Sequence, residues 1–144
     1  MKDTSSLDGA VAAWISAWCD RDVETLMTLW DEEDPDSSYL PAQEETAITG
    51  TAAVLSYITV FCENFEEIKH RPETITVKEL GGDIGLTFYV LDWAVSNKLG
   101  PIGGRCRITG VWRKKRGLWK LTQYSEAPLA PLVELRQFYQ AVAA

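Results

Sequence analysis

The feature that most restricts the fold of this chain is a series of four strand-like runs in its second half. They cover residues 68–80, 84–96, 102–114 and 118–126. Valine, isoleucine, threonine and aromatic residues are frequent in these runs, and turn-forming residues separate one run from the next. Consecutive strands joined by short turns pair antiparallel, so the sequence predicts an antiparallel meander.

The connections between these runs are of two kinds. Gly81-Gly82-Asp83 and Arg116-Gly117 have the length and glycine content of hairpin turns. Residues 97–104 form a longer, glycine-rich connection, which we expect to cover an opening. The basic run at residues 113–116 falls on the second turn and is interpreted as a solvated hairpin tip.

Helical patterns fill most of the remaining sequence. Apolar residues recur at helical spacing in residues 7–19, 23–30 and 54–65. A fourth helix is predicted after Pro131, a residue suited to a first helical turn. Between the second and third helices, Tyr39-Leu40-Pro41 resembles a short edge strand. Helices segregated from an antiparallel sheet define an α+β fold.

Length and charge limit the classes of protein to which the chain can belong. Its 144 residues are enough for one core, so a single domain covering residues 1–144 is expected. The 14 basic and 21 acidic residues give a net charge of −7 without a broad basic face, which argues against a nucleic-acid partner. The sequence has neither a signal-peptide pattern nor a membrane-spanning stretch, so a cytoplasmic protein without membrane contact is expected.

The histidine and cysteine content excludes several kinds of site. His70 is the only histidine, so two-histidine metal sites and histidine pairs are excluded, and no metal or cofactor is expected. His70 lies among charged residues and is expected to be exposed. Cys19, Cys62 and Cys106 are far apart and lack a CxxC pattern, so they are interpreted as buried, reduced thiols. A nucleophilic Cys106 is the alternative.

Four segments carry a resemblance to a known family: residues 48–54 (ITGTAAV), Gly82-Asp83, residues 108–113 (ITGVWR) and residues 117–121 (GLWKL). Together with the order of the elements, they resemble the nuclear transport factor 2-like superfamily, in particular its SnoaL-like and ketosteroid-isomerase-like branch. The resemblance implies a curved antiparallel sheet wrapped around helices to form a cone with an internal pocket, and homodimers through the outer sheet face. The superfamily includes isomerases, cyclases, dehydratases, hydrolases and non-catalytic modules, so the fold alone does not define the function.

Strand alternation predicts which residues of the last strand line this pocket. Trp119, Leu121, Gln123 and Ser125 share one face, so Gln123 and Ser125 are expected to contact a ligand. Related proteins often carry histidines at these two positions, and the resemblance therefore implies that this chain lacks their titratable groups. Gln123 can orient a carbonyl group, but it cannot act as a base.

Two carboxyl groups and one tyrosine are the candidates for catalysis. Asp92 stands in an apolar strand, where burial would raise the carboxyl pKa; the alternative is an outward orientation with an arginine of the neighbouring strand as partner. Glu126 ends the last strand, either at the mouth of the pocket or fully solvated. The resemblance to ketosteroid isomerases puts Leu40 where those enzymes have their catalytic aspartate, with Tyr39 as a neighbouring polar group.

Aromatic residues are more numerous than a core of this size needs. Packing in a solid core is the alternative for each ring. The rings expected to line the pocket are Trp14, Trp18, Tyr57, Phe61, Tyr89, Trp93 and Trp112.

The predicted function is binding of a small, flat, hydrophobic organic molecule, with cofactor-free acid/base catalysis of the isomerase, cyclase, dehydratase or hydrolase type. Tyr39 and Tyr57 would donate hydrogen bonds to an oxyanion, and Asp92 or Glu126 would exchange the proton. The alternative is a non-catalytic module of the same fold that dimerises or binds a partner.

Overall fold

The structure is a computed structural model that describes residues 3–129 and 132–143. Within these ranges the chain forms four helices and six strands. The helices are α1 (Leu7–Cys19), α2 (Val23–Leu29), α3 (Thr51–Asn64) and α4 (Leu132–Ala143). The strands are β1 (Ser38–Leu40), β2 (Ile48–Thr49), β3 (Glu67–Gly81), β4 (Ile84–Asn97), β5 (Gly100–Lys115) and β6 (Leu118–Pro128). The predicted helices and long strands are confirmed, while Pro131 lies outside the described residues.

The strands form one curved, open sheet in the order β2-β1-β6-β5-β4-β3. The last four strands make the antiparallel meander that the sequence predicts. At the other edge, β1 pairs parallel to β6, with Ser38 opposite Gln123, and antiparallel to β2. With helices segregated from a mainly antiparallel sheet, the molecule has the expected α+β fold.

The meander turns follow the local sequence in two of three cases. At the β5–β6 turn, Arg116 and Gly117 have φ values of +53° and +82°, the two positive values that a tight type I′ hairpin requires. At the β4–β5 connection the expectation of a long loop is wrong. The two strands extend to Asn97 and Gly100, which leaves only residues 98–99 between them.

A β-bulge in β6 changes the direction of every side chain that follows it. Val111 of β5 pairs with Gln123, but the next residue, Trp112, pairs with Leu121, so Thr122 is an extra residue in β6. The hydroxyl group of Thr122 donates a hydrogen bond to the carboxylate of Asp34. Leu121 therefore remains on the concave face, whereas Gln123 is exposed on the opposite side.

Helix α1 packs directly against the concave face of the sheet. Ser6 caps this helix, with its Oγ accepting a hydrogen bond of 3.0 Å from the Gly9 amide. The approach of the helix is close, because a Cβ atom at Gly85 would lie 2.5 Å from Leu7 Cδ2. None of the helices among the described residues has the length and apolar character needed to span a bilayer.

Candidate active site

A cavity of about 410 Å³ lies between α1, α3 and one end of the concave sheet face. Its volume is within the range of about 300 to 1,000 Å³ that is usual for small-molecule sites. Helices, a loop and five strands of the sheet contribute to its wall. The lining residues are Trp18, Tyr39, Ala42, Gln43, Tyr57, Phe61, Phe65, His70, Trp93, Val95, Ile102, Cys106, Glu126 and Pro128.

Much of the wall consists of aromatic rings in mutual contact. The rings of Trp18 and Phe61 meet edge to face, with centroids 5.7 Å apart, and Phe61 lies 4.9 Å from Phe65. On the other side, Tyr39 lies 5.5 Å from the ring of Tyr57. These contacts hold the rings in place through each other, so the wall is preorganised rather than assembled by a ligand.

Glu126 places a carboxyl group in this aromatic wall. The bulge at Thr122 directs Glu126 to the concave face, because Tyr124 and Glu126 now alternate inward. Its Oε1 accepts a hydrogen bond of 3.1 Å from the Ala42 amide, and its Oε2 accepts one of 3.1 Å from the Tyr124 hydroxyl group. Burial raises the pKa of Glu126, although both hydrogen bonds act in the opposite direction. The carboxylate can therefore accept and hold a proton.

Two tyrosine hydroxyl groups flank the same space. Tyr39 stacks on Tyr124 with centroids 4.7 Å apart, and burial raises its pKa well above the ordinary value. Tyr57 accepts a hydrogen bond from the Gln43 side-chain amide, and burial raises the pKa of Tyr57 as well. Both groups stay protonated near neutral pH, so each can donate a hydrogen bond to an oxygen atom of a ligand.

His70 belongs to the cavity, which corrects the expectation that it is exposed. Its side chain is half-buried, and its ring lies 5.6 Å from that of Trp18. Burial lowers the pKa of His70 to about 4, so the imidazole is neutral near pH 7. The available signal was the alternation of β3, in which Ile68 and His70 share the inward face. The charged neighbours Lys69 and Arg71 favour the interpretation of an exposed His70, but they lie on the opposite face of the strand.

Gln123 and Ser125 do not line the cavity, contrary to the sequence prediction. Strict alternation from Leu121 puts both side chains inward, but the extra residue Thr122 reverses that alternation. Gln123 is exposed, and neither residue is among those that surround the cavity. The structure therefore does not bring these two residues to the cavity.

Asp92 also lies outside the cavity. It alternates with Leu91 and Trp93, which point inward, so its side chain is on the convex face of the sheet. Its register partners on the two neighbouring strands are Arg71 and Arg105. This placement matches the outward orientation considered as the alternative, and a catalytic role in the cavity is not open to Asp92.

The structure divides the predicted ligand-contacting rings into two groups. Trp18, Tyr57, Phe61 and Trp93 line the cavity. Trp14, Tyr89 and Trp112 are buried in the solid core instead. The core position of Trp112 is fixed by a hydrogen bond of 3.0 Å from its Nε1 to Thr87 Oγ1.

The cysteine prediction is correct for two of the three thiols. Cys62 and Cys106 are buried, whereas Cys19 is exposed at the end of α1. Cys106 lines the cavity, where burial and the nearby carboxylate of Glu126 raise its pKa to about 12. Such a thiol stays protonated near neutral pH, which argues against the nucleophilic alternative.

Two further depressions lie outside this cavity. One, of about 790 Å³, follows the outer surface of α1 and α2 and reaches Trp119. The other, of about 230 Å³, lies beside Trp30 and is edged by Glu33, Arg116 and Lys120. Each of the two is lined by a single aromatic residue, so neither has the aromatic wall of the central cavity. Within residues 3–129 and 132–143, no cluster of three or more histidine, cysteine or acidic residues could hold a metal ion.

A curved, open sheet with helices packed against it is the fold of nuclear transport factor 2-like proteins. Residues 8–131 match the SnoaL-like domain family, and the chain belongs to that family. Among curated proteins, none has significant sequence similarity to the chain.

Solved structures of several bacterial proteins share this fold. A candidate dehydratase of the nuclear transport factor 2-like family from Streptomyces avermitilis aligns with a TM-score of 0.75 and 21% identity, over 88% of this chain and 96% of that one. A candidate calcium/calmodulin-dependent protein kinase II association domain from Xanthomonas campestris aligns with a TM-score of 0.73 and 18% identity, over 87% and 86%. A protein with a cystatin-like fold from Caulobacter vibrioides aligns with a TM-score of 0.76 and 17% identity, over 92% and 94%. At these identities the likeness extends to the fold alone.

Proposed function

We propose that the protein binds a small, flat organic molecule in the central cavity and exchanges a proton with it through Glu126. The observation that carries this proposal is a carboxyl group, with a pKa raised by burial, set in an aromatic wall around about 410 Å³ of space. The likeness to a candidate dehydratase supports a fold suited to such chemistry. The cytoplasmic location expected from the sequence stays a prediction.

The chemistry follows from the hydrogen bonds around the carboxylate. The Ala42 amide and the Tyr124 hydroxyl group fix the two oxygen atoms of Glu126, which keeps the base oriented toward the cavity. When Glu126 removes a proton from a carbon atom beside a carbonyl group, negative charge develops on the carbonyl oxygen. The hydroxyl oxygen of Tyr57 accepts a hydrogen bond from the Gln43 side chain, which leaves the hydroxyl proton of Tyr57 to be donated to the carbonyl oxygen of the ligand.

Deuterium exchange into tetralone, a flat bicyclic ketone, tests this proposal without knowledge of the natural substrate. Removal of an α-proton by Glu126 and return of a deuteron from D₂O would accelerate the exchange, which NMR follows directly. Glu126→Gln keeps the shape of the side chain but removes the base, so we expect exchange to slow by about 100-fold or more. Asp92→Asn, which removes a carboxylate on the convex face, is the matched control and is expected to leave the rate unchanged.

Binding is measured separately with naphthol, a flat phenol, in a thermal-shift titration. Saturable stabilisation supports the cavity as a ligand site, since a ligand at 100 times its Kd adds about 2.7 kcal/mol to the free energy of unfolding. Failure of naphthol, steroid-like and polyketide-like compounds alike would favour the non-catalytic alternative.

One observation favours dimerisation as a second function, either in place of ligand binding or together with it. Phe88 is 42% exposed on the convex face of the sheet, and the ammonium group of Lys78 lies 5.7 Å from the centroid of its ring. We infer that this face forms the homodimer interface expected from the sequence. The likeness to a candidate association domain supports the same use of the fold.

A further inference from the structure

The lining of the cavity holds one carboxyl group and no lysine or arginine side chain. Of the residues that line it, Glu126 carries a carboxylate, and His70 is a neutral imidazole near pH 7. Tyr39, Tyr57 and Cys106 stay protonated. No lysine or arginine is present among the lining residues. A negatively charged ligand would therefore be repelled by the carboxylate of Glu126 and would find no lysine or arginine among the lining residues to offset that repulsion.

Among the residues that the structure describes, no lysine or arginine forms an ion pair with Glu126. The ion pairs formed by the described residues involve Glu67, Asp31, Glu33 and Glu73, all away from the cavity. The two hydrogen bonds to Glu126 come from neutral donors, the Ala42 amide and the Tyr124 hydroxyl group. A half-buried carboxylate with only neutral partners is costly, and a cationic group placed beside it removes part of that cost.

The aromatic wall favours the same kind of ligand. Six rings surround the cavity, contributed by Trp18, Tyr39, Tyr57, Phe61, Phe65 and Trp93. The face of an aromatic ring carries partial negative charge and attracts ammonium groups, and several rings around one carboxylate are the usual way of binding amines and quaternary ammonium ions. The net charge of −7 on the whole chain adds a weaker, longer-range attraction.

We propose that the ligand of the central cavity is an organic cation, an aromatic or alkylated amine whose positive nitrogen lies between the ring wall and the carboxylate of Glu126. This inference rests on the proposed function, since it specifies the charge of the molecule bound at the same site. It goes further in excluding carboxylates and phosphate esters as ligands.

A matched pair of phenols separates the effect of charge from that of shape. (para-Hydroxyphenyl)trimethylammonium and para-tert-butylphenol have nearly the same size and shape. They differ in the central atom of the para substituent, which is a positively charged nitrogen in the first and a neutral carbon in the second. Isothermal titration calorimetry on the full chain near neutral pH is expected to show binding of the cation about tenfold or more tighter than binding of the neutral phenol.

Three variants test the source of that preference. Glu126→Gln is expected to reduce the preference for the cation to less than about threefold, whereas Asp92→Asn, on the convex face, is expected to preserve it. Phe61→Leu removes one ring but leaves the carboxylate, so it is expected to weaken binding of the cation more than that of the neutral phenol. This variant keeps the test decisive if Glu126→Gln does not fold.

The outcomes distinguish the two proposals. Equal or tighter binding of para-tert-butylphenol would overturn the organic-cation inference and leave the proposed function standing. Binding of neither phenol, together with failure of naphthol, would overturn both. A preference for the cation that survives Glu126→Gln would contradict the role assigned to this carboxylate.

Discussion

His70 and Glu126 face the same cavity, and burial moves their pKa values in opposite directions. It lowers the pKa of His70 and raises that of Glu126, because an apolar environment disfavours the charged form of each group. Near neutral pH the histidine therefore stays uncharged, while the carboxylate remains the group that can take up a proton. The two residues make opposite contributions to the pH dependence of folding.

We expect the free energy of unfolding of His70→Gln to decrease less on acidification than that of the parent protein. The pKa of His70 is about 4 in the folded protein against 6.5 as the ordinary value, so the unfolded chain binds more protons between these pH values. The stabilisation is complete above about pH 6.5 and is lost as the pH falls toward about 4. Urea unfolding of both proteins across this window measures the difference. Parallel stability curves would contradict the buried, neutral histidine.

The carboxyl group of Glu126 affects the pH dependence of the free energy of unfolding in the opposite direction, and Glu126→Gln tests this in the same measurement. The raised pKa means that unfolding is favoured as the pH rises above the ordinary carboxyl value of 4.5, because the unfolded chain then loses the proton more readily. We therefore expect the stability of Glu126→Gln relative to the parent protein to increase with pH above that value. A relative stability that decreases over the same range would contradict the burial of this carboxyl group.

The Tyr124 hydroxyl group tunes the base. Its hydrogen bond of 3.1 Å to Glu126 favours the ionised carboxylate, so Tyr124→Phe is expected to raise the pKa of Glu126 further. The carboxyl ¹³C signal of Glu126 reports this pKa in an NMR titration. Tyr89→Phe is the control, since Tyr89 makes no hydrogen bond to Glu126 within the described residues, and it should leave the titration unchanged. A lowered pKa in Tyr124→Phe would refute the assignment.

At the scale of elements, the bulge in β6 decides which residues reach the cavity. It lies between two parallel pairings at the edge of the sheet, the bridge from Trp30 to Leu121 and the pairing of Ser38 with Gln123. The Thr122 side chain is buried and is held by Asp34, which fixes the bulge from outside the strand. Because of this one extra residue, Tyr124 rather than Gln123 lies on the concave face.

We expect Thr122→Val to destabilise the protein by about 2 kcal/mol, because it removes a hydrogen bond to a charged carboxylate while keeping the volume of the side chain. Thr122→Ser, which retains the hydroxyl group, is expected to lose clearly less. Denaturant unfolding measures both values. Equal losses in the two variants would show that packing, rather than the hydrogen bond to Asp34, holds the bulge.

The bulge also marks the limit of what the sequence predicts at this scale. Apolar periodicity identified the helices and long strands, and it placed Trp18, Phe61 and Trp93 on inward faces, because these signals repeat along one element. The bulge depends on how two strands oppose each other, which no pattern within β6 records. Gln123 was therefore assigned to the cavity, and the inward direction of Glu126 could be considered only as one of two alternatives.

At the scale of the whole molecule, the convex face and the cavity lie on opposite sides of the sheet, so the two proposals that rest on them can be tested separately. Phe88 lies between Thr76 and Thr109 on that face, on the opposite side of the sheet from the cavity. If the face forms the dimer interface, Phe88→Asp inserts a buried charge there and is expected to convert the dimer to a monomer in sedimentation or light-scattering measurements. Binding of naphthol is expected to persist in the monomer. A parent protein that is monomeric at micromolar concentration would contradict the interface.

Four of the six tryptophans provide the most direct test of the cavity as the ligand site, because they are distributed among the three depressions of the surface. Trp18 and Trp93 line the central cavity, Trp119 lies at the groove along α1 and α2, and Trp30 lies at the small charged depression. In a ¹⁵N NMR titration with naphthol, the indole signals of Trp18 and Trp93 are expected to shift with saturation while those of Trp30 and Trp119 stay in place. Shifts confined to Trp30 or Trp119 would contradict the central claim, as would the absence of any shift at Trp18 and Trp93.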